Sequence, residues 1–531
     1  MTIGEKITHL RNSAGISQGA LAEKLKVSRQ SVSKWEMDNA LPQIDKVVQL
    51  CGLFGISADD LLNPDVELKK SKGNKYFGTD GFRGEANKTL TSMQAYKVGR
   101  FLGWYYSSKK QNGERAKIVI GKDTRRSSYM LEYSIVAGLT ASGADAYMLH
   151  VTTTPSVSYV TRKDDFDCGI MITASHNPFY DNGIKVINQN GEKLDDSTTA
   201  LIEAYIDGNM AALGVSESDL PLANRENIGS ITDYSAGRNR YVGYLISLAS
   251  NSFKKLKIGI DCANGASWMI AKSVFDALGA QTFVIGNNPD GLNVNKGVGS
   301  THIENLQKFV KENNLSVGFA LDGDADRCIA VDENGNVVDG DGIMYVLANR
   351  LKQRESLNGN TVVATVMSNS GFFASLKKAN INCVQTAVGD RFVYENMQAN
   401  NYSLGGEQSG HIIIKKYATT GDGILTALMV AEEICDKKMP LSSLVAQLKL
   451  YPQYIENLRV KSKTEVMADA DVLAAANAVE QKINGNGRVL LRKSGTEPVI
   501  RVMIEAETEE LCREYAKTIS DVIRAKNYCV E

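Results

Sequence analysis

The run Thr173-Ala174-Ser175-His176-Asn177-Pro178 sets a hydroxyl beside an imidazole, on a turn that the Asn-Pro pair favours. The apolar stretch Cys168 to Ile172 leads into it and reads as a short buried strand. A nucleophile at such a strand end faces a cleft while a rigid element holds it. Downstream, Asp322, Asp324 and Asp326 alternate with small residues, and Arg327 follows directly. Three carboxylates with open positions suit Mg²⁺, which shares its shell with phosphate oxygens. Three other readings compete. A calcium loop fits Glu333 at its twelfth position but not Arg327 at its sixth, where a sharp turn needs Gly. Its flanks, Val317 to Leu321 and Cys328 to Val331, are also strand-like rather than helical. An aspartyl-phosphate enzyme would use Asp322 as nucleophile, and a solvated acidic loop would use none of the three. A third patch is Arg492-Lys493-Ser494-Gly495-Thr496-Glu497-Pro498, with Arg501 beyond it. Its hydroxyls and unhindered N–H groups suit a phosphate, which the arginines can grip bidentately. The alternative is an ordinary turn between the strands 488–491 and 499–504.

These groups need scaffolds, and the chain repeats one grammar. Lys117–Ile120 leads through Gly121-Lys122-Asp123 to a helix, then Ser142-Gly143-Ala144 and a second strand. Leu256–Ile260 and Thr361–Val366 open two further units of the same kind. Three strand–turn–helix–strand units imply three α/β domains with largely parallel strands, whose loops meet over one cleft. After about residue 450 the pattern changes to strands around the phosphate patch and a helix over 509–525, an α+β domain.

Residues 1–66 read as a separate all-α unit. Ser17 caps a helix over 18–25, Ser28 caps a second over 29–37, and Pro42 opens a third over 43–54. This resembles the lambda-repressor-like helix-turn-helix family, down to Ser33, Trp35 and Glu36. The resemblance implies that the second helix enters a DNA major groove and presents Arg29, Gln30, Ser31 and Lys34. Acids slightly outnumber cations over residues 1–66, yet Lys24, Lys26, Arg29 and Lys34 occur with no acid among them. Protein docking is the rival use of the unit. Single domains of this kind bind DNA tightly as two-fold pairs, so a homodimer is expected. Residues 67–74 read as a linker.

The serine loop, the aspartate triad and RKSGTEP together resemble the alpha-D-phosphohexomutases. Tyr76 to Gly84 (YFGTDGFRG) and Gly405 to His411 (GGEQSGH) agree in order, and the resemblance covers roughly residues 75–531. Ala174, Gln408 and Lys493 point to the bacterial branch that acts on glucosamine phosphates. Thr173, Phe82 and Val298 stand where Ser, Ile and Cys are more usual in the family. The resemblance implies domains at 75–228 (serine), 229–336 (metal loop), 337–448 (sugar loop) and 449–531 (phosphate loop), around a central cleft. It implies interconversion of hexose 6-phosphate and 1-phosphate through phosphorylated Ser175 and a hexose 1,6-bisphosphate, which is intermediate and activator. Mg²⁺ would sit on Ser175, Asp322, Asp324 and Asp326. Lys185 would be the general acid/base near Arg83, with Arg327 assisting and His176 sharing the role. Glu407 and Ser409 would bind sugar hydroxyls; Arg492, Ser494, Gly495, Thr496 and Arg501 would hold the non-reacting phosphate. The substrate would be a hexosamine phosphate.

Composition fits this. At 531 residues and a net charge of -1, the chain is multidomain and not a polycation. Eight cysteines lack any C-x-x-C pair and read as reduced core residues. No signal-peptide pattern or membrane-length apolar run occurs, so the expected location is the cytoplasm. Rival functions are a glucose or mannose phosphate mutase, and a DNA-binding regulator that senses sugar phosphates.

Overall fold

Alternating apolar runs in the long C-terminal part condense into four sheets, each carrying one of the loops singled out above. The structure is a computed structural model describing all but residues 1, 14–17, 55–60, 64–74, 79, 112–113, 217–219, 495–497 and 531. The Ser17 cap, the 67–74 linker, Gly495 and Thr496 lie outside the described residues. The chain divides into two units, 1–75 and 76–531.

In the first unit, helices span Ile3–Ser13, Gln18–Leu25, Arg29–Glu36 and Ile44–Phe54. Ser28 caps the third, accepting from the Ser31 N–H. The fourth starts one residue after the expected Gln43, whose carbonyl instead accepts from Lys46 and Val47. Leu21, Leu25, Val32, Trp35, Val47 and Leu50 form the core. Burying each such side chain contributes about 1.5–3 kcal/mol. Glu36 accepts from Arg11 and from Gln18 (2.7 Å), so this acid ties helices together.

The second unit begins with seven strands: β1 (Phe77–Gly78), β2 (Gly81–Glu85), β3 (Lys117–Lys122), β4 (Asp145–Val151), β5 (Cys168–Ile172), β6 (Asp181–Asn188) and β7 (Ile231–Asp233). Their order is β1-β2-β6-β5-β3-β4-β7. The edge strand β7 carries this sheet past the boundary expected at 228. A five-stranded sheet follows, with β8 (Lys257–Asp261), β9 (Gln281–Ile285), β10 (Val317–Leu321), β11 (Cys328–Val331) and β12 (Val337–Val338) in the order β12-β11-β10-β8-β9. The third sheet orders β13 (Thr361–Thr365), β14 (Asn382–Thr386), β15 (Leu404–Gly406) and β16 (Ile412–Ile414) as β14-β13-β15-β16. The last places β19 (Val499–Glu505) between β17 (Gln453–Arg459) and β18 (Arg488–Lys493). A helix over Glu509–Ala525 buries Cys512, Ala516, Ile519 and Ile523 on it.

The expectation of largely parallel strands needs correction. In the three α/β domains β3·β4, β3·β5, β8·β10 and β13·β15 are parallel, but β5·β6, β10·β11 and β15·β16 are antiparallel; β18·β19, in the expected α+β domain, is antiparallel as well. The reason is connection length. Helical crossovers return a chain parallel, whereas a short loop can only return it antiparallel. All four antiparallel connections named here are the functional loops.

Candidate active site

The first sheet supplies the hydroxyl. All five residues of β5 are buried, and the loop after it leads straight into β6. Ser175 is fully buried and left-handed, with φ +51°. Its N–H donates to Thr173 Oγ1 (2.9 Å) and its Oγ donates to Asp322 Oδ2 (2.5 Å). His176 Nδ1 lies 3.3 Å from that Oγ. Burial, then Arg327 and Arg83, depress the His176 imidazole to about 4, so it is neutral near pH 7.

The second sheet brings the acids. Asp322, Asp324 and Asp326 are buried between β10 and β11, with one ligand oxygen each all within 4.8 Å of one another. The strands on either side match the apolar runs and exclude the helix–loop–helix calcium reading. Asp324 Oδ2 accepts from Thr154 Oγ1 (2.6 Å) and Lys185 Nζ (2.8 Å). Asp326 Oδ2 accepts from Lys185 at 3.0 Å. Oδ1 of Asp324 and Oδ1 of Asp326 are buried with no hydrogen-bond partner. Orphaned carboxylate oxygens are costly in a core, and a divalent cation satisfies them. The residues therefore fit a hard metal ion.

Charge in the cluster follows from burial. Desolvation, with Asp326 and Asp324 adding repulsion, holds Asp322 well above the usual carboxylate range. Desolvation pulls the Lys185 ammonium down, but Asp324, Asp326 and Asp80 outweigh it and hold it well above its ordinary value. Arg83, on β2, pairs with Asp80 and donates to Asn177 Oδ1 at 3.2 Å. The Arg327 N–H donates to Asp322 Oδ1 at 3.2 Å.

The third sheet closes on these groups. His411 follows the loop after β15, bridges Arg327 through the backbone, and sets Nδ1 3.6 Å from Asp326 Oδ1. Gly410, at φ +93°, packs so closely on the Cys328 carbonyl that a Cβ would stand 2.4 Å from it. The half-buried Glu407 accepts from the Gly389 N–H (3.1 Å), and Ser409 is exposed at the loop tip. In the last sheet Arg492 and Arg501 are direct cross-strand partners. Desolvation and then the neighbouring Arg501 lower Arg492. Ser494 is buried, and its carbonyl accepts from Lys463 at 2.7 Å.

The structure thus brings together Ser175, His176, Lys185, Arg83, Arg327 and the triad. Glu407 and Ser409 stand on a neighbouring loop; Arg492, Ser494 and Arg501 stand on a separate sheet. Sequence reasoning missed three neighbours. Asp80 lies 3.3 Å from Lys185, Thr154 holds Asp324, and Lys193 joins Asp80 (3.0 Å) to Asp390 (2.7 Å). Asp80 belongs to the motif already noticed. Nothing local marks Lys193. In the helix-turn-helix unit, Arg29, Gln30 and Lys34 are exposed, while Ser31 is half-buried with its hydroxyl 2.9 Å from that of Ser28.

Four sheets, three of which meet at a serine–aspartate–lysine cluster, define a phosphohexomutase. Residues 74–212, 239–335 and 339–451 match alpha/beta/alpha domains I, II and III of phosphoglucomutase/phosphomannomutase, 456–522 match its C-terminal domain, and 7–61 match a helix-turn-helix family. The phosphoglucosamine mutase of Lachnospira eligens is 59% identical over 456 residues, covering 86% of this chain and 100% of that protein. That of Bacillus subtilis is 48% identical over 452 residues, covering 85% and 99%. Two solved structures share the fold. A phosphoglucomutase/phosphomannomutase family protein from Burkholderia thailandensis gives a TM-score of 0.69 at 22% identity, covering 85% of this chain and 97% of that one. Aspergillus fumigatus N-acetylphosphoglucosamine mutase, in complex with GlcNAc-6P and magnesium, gives 0.60 at 17%, covering 85% and 95%. The chain belongs to the phosphoglucosamine mutase family, with a helix-turn-helix module ahead of the mutase part. It is an isomerase that interconverts hexose 6-phosphates and 1-phosphates. No helix among the described residues is long and apolar enough to cross a membrane.

Proposed function

We propose that the substrate is glucosamine phosphate and that Ser175 carries the phosphoryl group between its two positions. The single observation behind this is the Ser175 hydroxyl donating into a buried carboxylate triad that a lysine bridges. Asp322, Asp324 and Asp326 would hold Mg²⁺, with an oxygen of the Ser175 phosphate as a further ligand. Bound there, it would neutralise charge on the transferring phosphoryl group.

The chain's own groups do the rest. The phosphoryl group leaves Ser175 Oγ for the free sugar hydroxyl: the serine O–P bond breaks, and the sugar O–P bond forms. A hexose 1,6-bisphosphate results, turns end for end, and returns its other phosphoryl group to the serine. Lys185 receives the proton of the attacking hydroxyl. In the structure three carboxylates keep this ammonium charged. Engaging Asp324 and Asp326 elsewhere would remove two of the three carboxylates that oppose desolvation and move Lys185 toward acting as a base. Arg83 and Arg327, close enough to His176 to depress its imidazole, would assist the transfer. His176 shares the acid/base role: the single Ser175 hydroxyl proton goes to Asp322, so a neutral imidazole protonated at Nδ1 donates to Ser175 Oγ and would supply the proton to the serine oxygen as the phosphoryl group leaves. Glu407 and Ser409 bind sugar hydroxyls. Arg492, Ser494, Arg501, Gly495 and Thr496 hold the spectator phosphate in either orientation.

The helix-turn-helix unit is proposed to bind DNA through the exposed Arg29, Gln30 and Lys34, with Ser31 contributing from the helix start, as a two-fold pair in the cytoplasm. Turnover of the wild type and of Ser175→Ala on glucosamine, glucose and mannose phosphates tests the enzyme reading. Wild-type rates in the variant refute the relay, and a preference of the wild type for glucose or mannose phosphate refutes the substrate.

A further inference from the structure

Two buried side chains, Arg125 and Asn295, spend their donors on the backbone of the serine loop. Arg125 is fully buried. Its Nη2 donates to the carbonyls of Ser175 (2.8 Å) and Asn177 (2.9 Å). Its Nη1 donates to those of Asp181 (3.1 Å) and Pro178. Its Nε donates to Asp123 Oδ2 (2.8 Å), which also accepts from Thr173 Oγ1 (2.8 Å). A guanidinium has five N–H groups, and each has a partner here. Asn295 comes from the second sheet's connections, 6% exposed. Its Nδ2 donates to the same two carbonyls, Ser175 at 2.8 Å and Asn177 at 3.1 Å. Gly323 of the metal loop packs on the same spot: a Cβ there would stand 2.5 Å from the Ser175 carbonyl oxygen and 3.1 Å from Asn295 Nδ2.

The Ser175 carbonyl therefore fills both of its acceptor positions, one from each sheet. Ser175 is left-handed, a conformation that an L-residue holds only where its surroundings over-determine it. With these donors saturated, no N–H of Arg125 and none of the Asn295 amide remains for a phosphate. We infer that Arg125 and Asn295 are positioning residues: by gripping the Ser175 carbonyl they set where Oγ stands relative to Asp322 and Lys185. The inference rests on the Ser175 relay proposed above. It makes the serine's placement a joint product of two sheets, because Asn295 and the triad belong to the second while Arg125 and Ser175 belong to the first.

The test is full-length Asn295→Asp. It preserves shape and tolerates the left-handed backbone (φ +57°), but turns two donors into acceptors facing carbonyls. The readouts are kcat, KM for glucosamine 6-phosphate, and the single-turnover transfer rate from phosphorylated enzyme, normalised to phosphoserine content by intact mass. Displacing a reacting atom by an ångström costs roughly 100-fold, so kcat and the transfer rate should fall by about that factor while KM changes little. Arg125→Lys, which keeps the charge and loses the fork, should show the same split. If Asn295→Asp fails to fold, Asn295→Ala is held to the same criterion. A folded variant with the wild-type transfer rate, or one whose loss lies wholly in KM, overturns the positioning role. Undiminished turnover by Ser175→Ala would instead overturn the relay itself.

Discussion

Replacing Lys185 with Met separates two jobs that this residue performs. Its ammonium lies 2.8 Å from Asp324, 3.0 Å from Asp326 and 3.3 Å from Asp80. Asp80 keeps Arg83 and Lys193 as partners, so the loss falls on the two triad acids. Removing one member of a buried charge cluster costs about 3–5 kcal/mol. A divalent cation held by the same oxygens at a hundred times its Kd returns about 2.7 kcal/mol. The variant should therefore melt well below wild type in chelator, and Mg²⁺ should recover half or more of the deficit. Wild type should gain less from Mg²⁺, because its own ammonium competes for Asp324 and Asp326. Catalysis should behave differently. At saturating Mg²⁺ kcat should stay down by about 10²–10⁴, the usual worth of a positioned acid–base group. Thermal melts across a Mg²⁺ series, with turnover measured at each point, read both effects. Equal Mg²⁺ stabilisation of the two proteins, or recovery of kcat along with stability, would refute the reasoning.

Arg492→Ala removes a charge-assisted grip of about 1.5–3 kcal/mol, so KM should rise roughly 10- to 100-fold with kcat little changed. A fall in kcat alone would place Arg492 with the reacting phosphoryl instead. Burial, with Asp339 adding repulsion, pushes Asp341 up to about 8. The folded protein then holds a proton that the unfolded chain releases near pH 4, so stability falls as pH rises from about 4 to 8. Asp341→Asn should flatten that part of the urea-midpoint profile, and parallel profiles would contradict it. Lys34→Ala should weaken DNA binding about equally across sequences and reduce the salt slope by about one; an unchanged slope would remove Lys34 from the interface.

Local signals were legible along the chain. The apolar runs at 168–172, 317–321 and 328–331 became β5, β10 and β11, because a short run between turn residues has little else to form. The helix over 18–25 and the cap at Ser28 followed from composition and capping chemistry. What stayed hidden was long-range. Thr154 meets Asp324, Arg125 meets Ser175, and Lys193 meets Asp390 across chain separations that no period encodes. Ser31 shows how local capping adds to what residue type alone suggests. Its type suits a DNA contact, and its hydroxyl also lies 2.9 Å from that of the capping Ser28, since serine pairs readily with nearby cap groups. The mixed strand directions were hidden too, because repeating strand–helix units suggest crossovers and say nothing of the short returns between them.

Those short returns explain how a cluster this charged can be built. Each functional loop joins two neighbouring antiparallel strands, so ladder bonds fix both of its ends and its backbone has little freedom left to lose. The remaining variable is how one sheet sits against the next. Specific bonds set that: the Thr154 N–H donates to the Asp324 carbonyl, Cys328 to Gly410, Gly423 to Ala325, and Ser370 to the Glu505 carboxylate. The glycines at 323, 410 and 423 lie at such contacts, where a Cβ would come within 2.3–2.5 Å of a facing carbonyl oxygen. Burying the triad leaves carboxylates that Arg327 and partners from other sheets, Lys185 and His411, help neutralise, so the same contacts that place the chemistry also make the cluster tolerable in a core. Stability and catalysis are therefore coupled at these loops, and a substitution that loosens one stitch should disturb both.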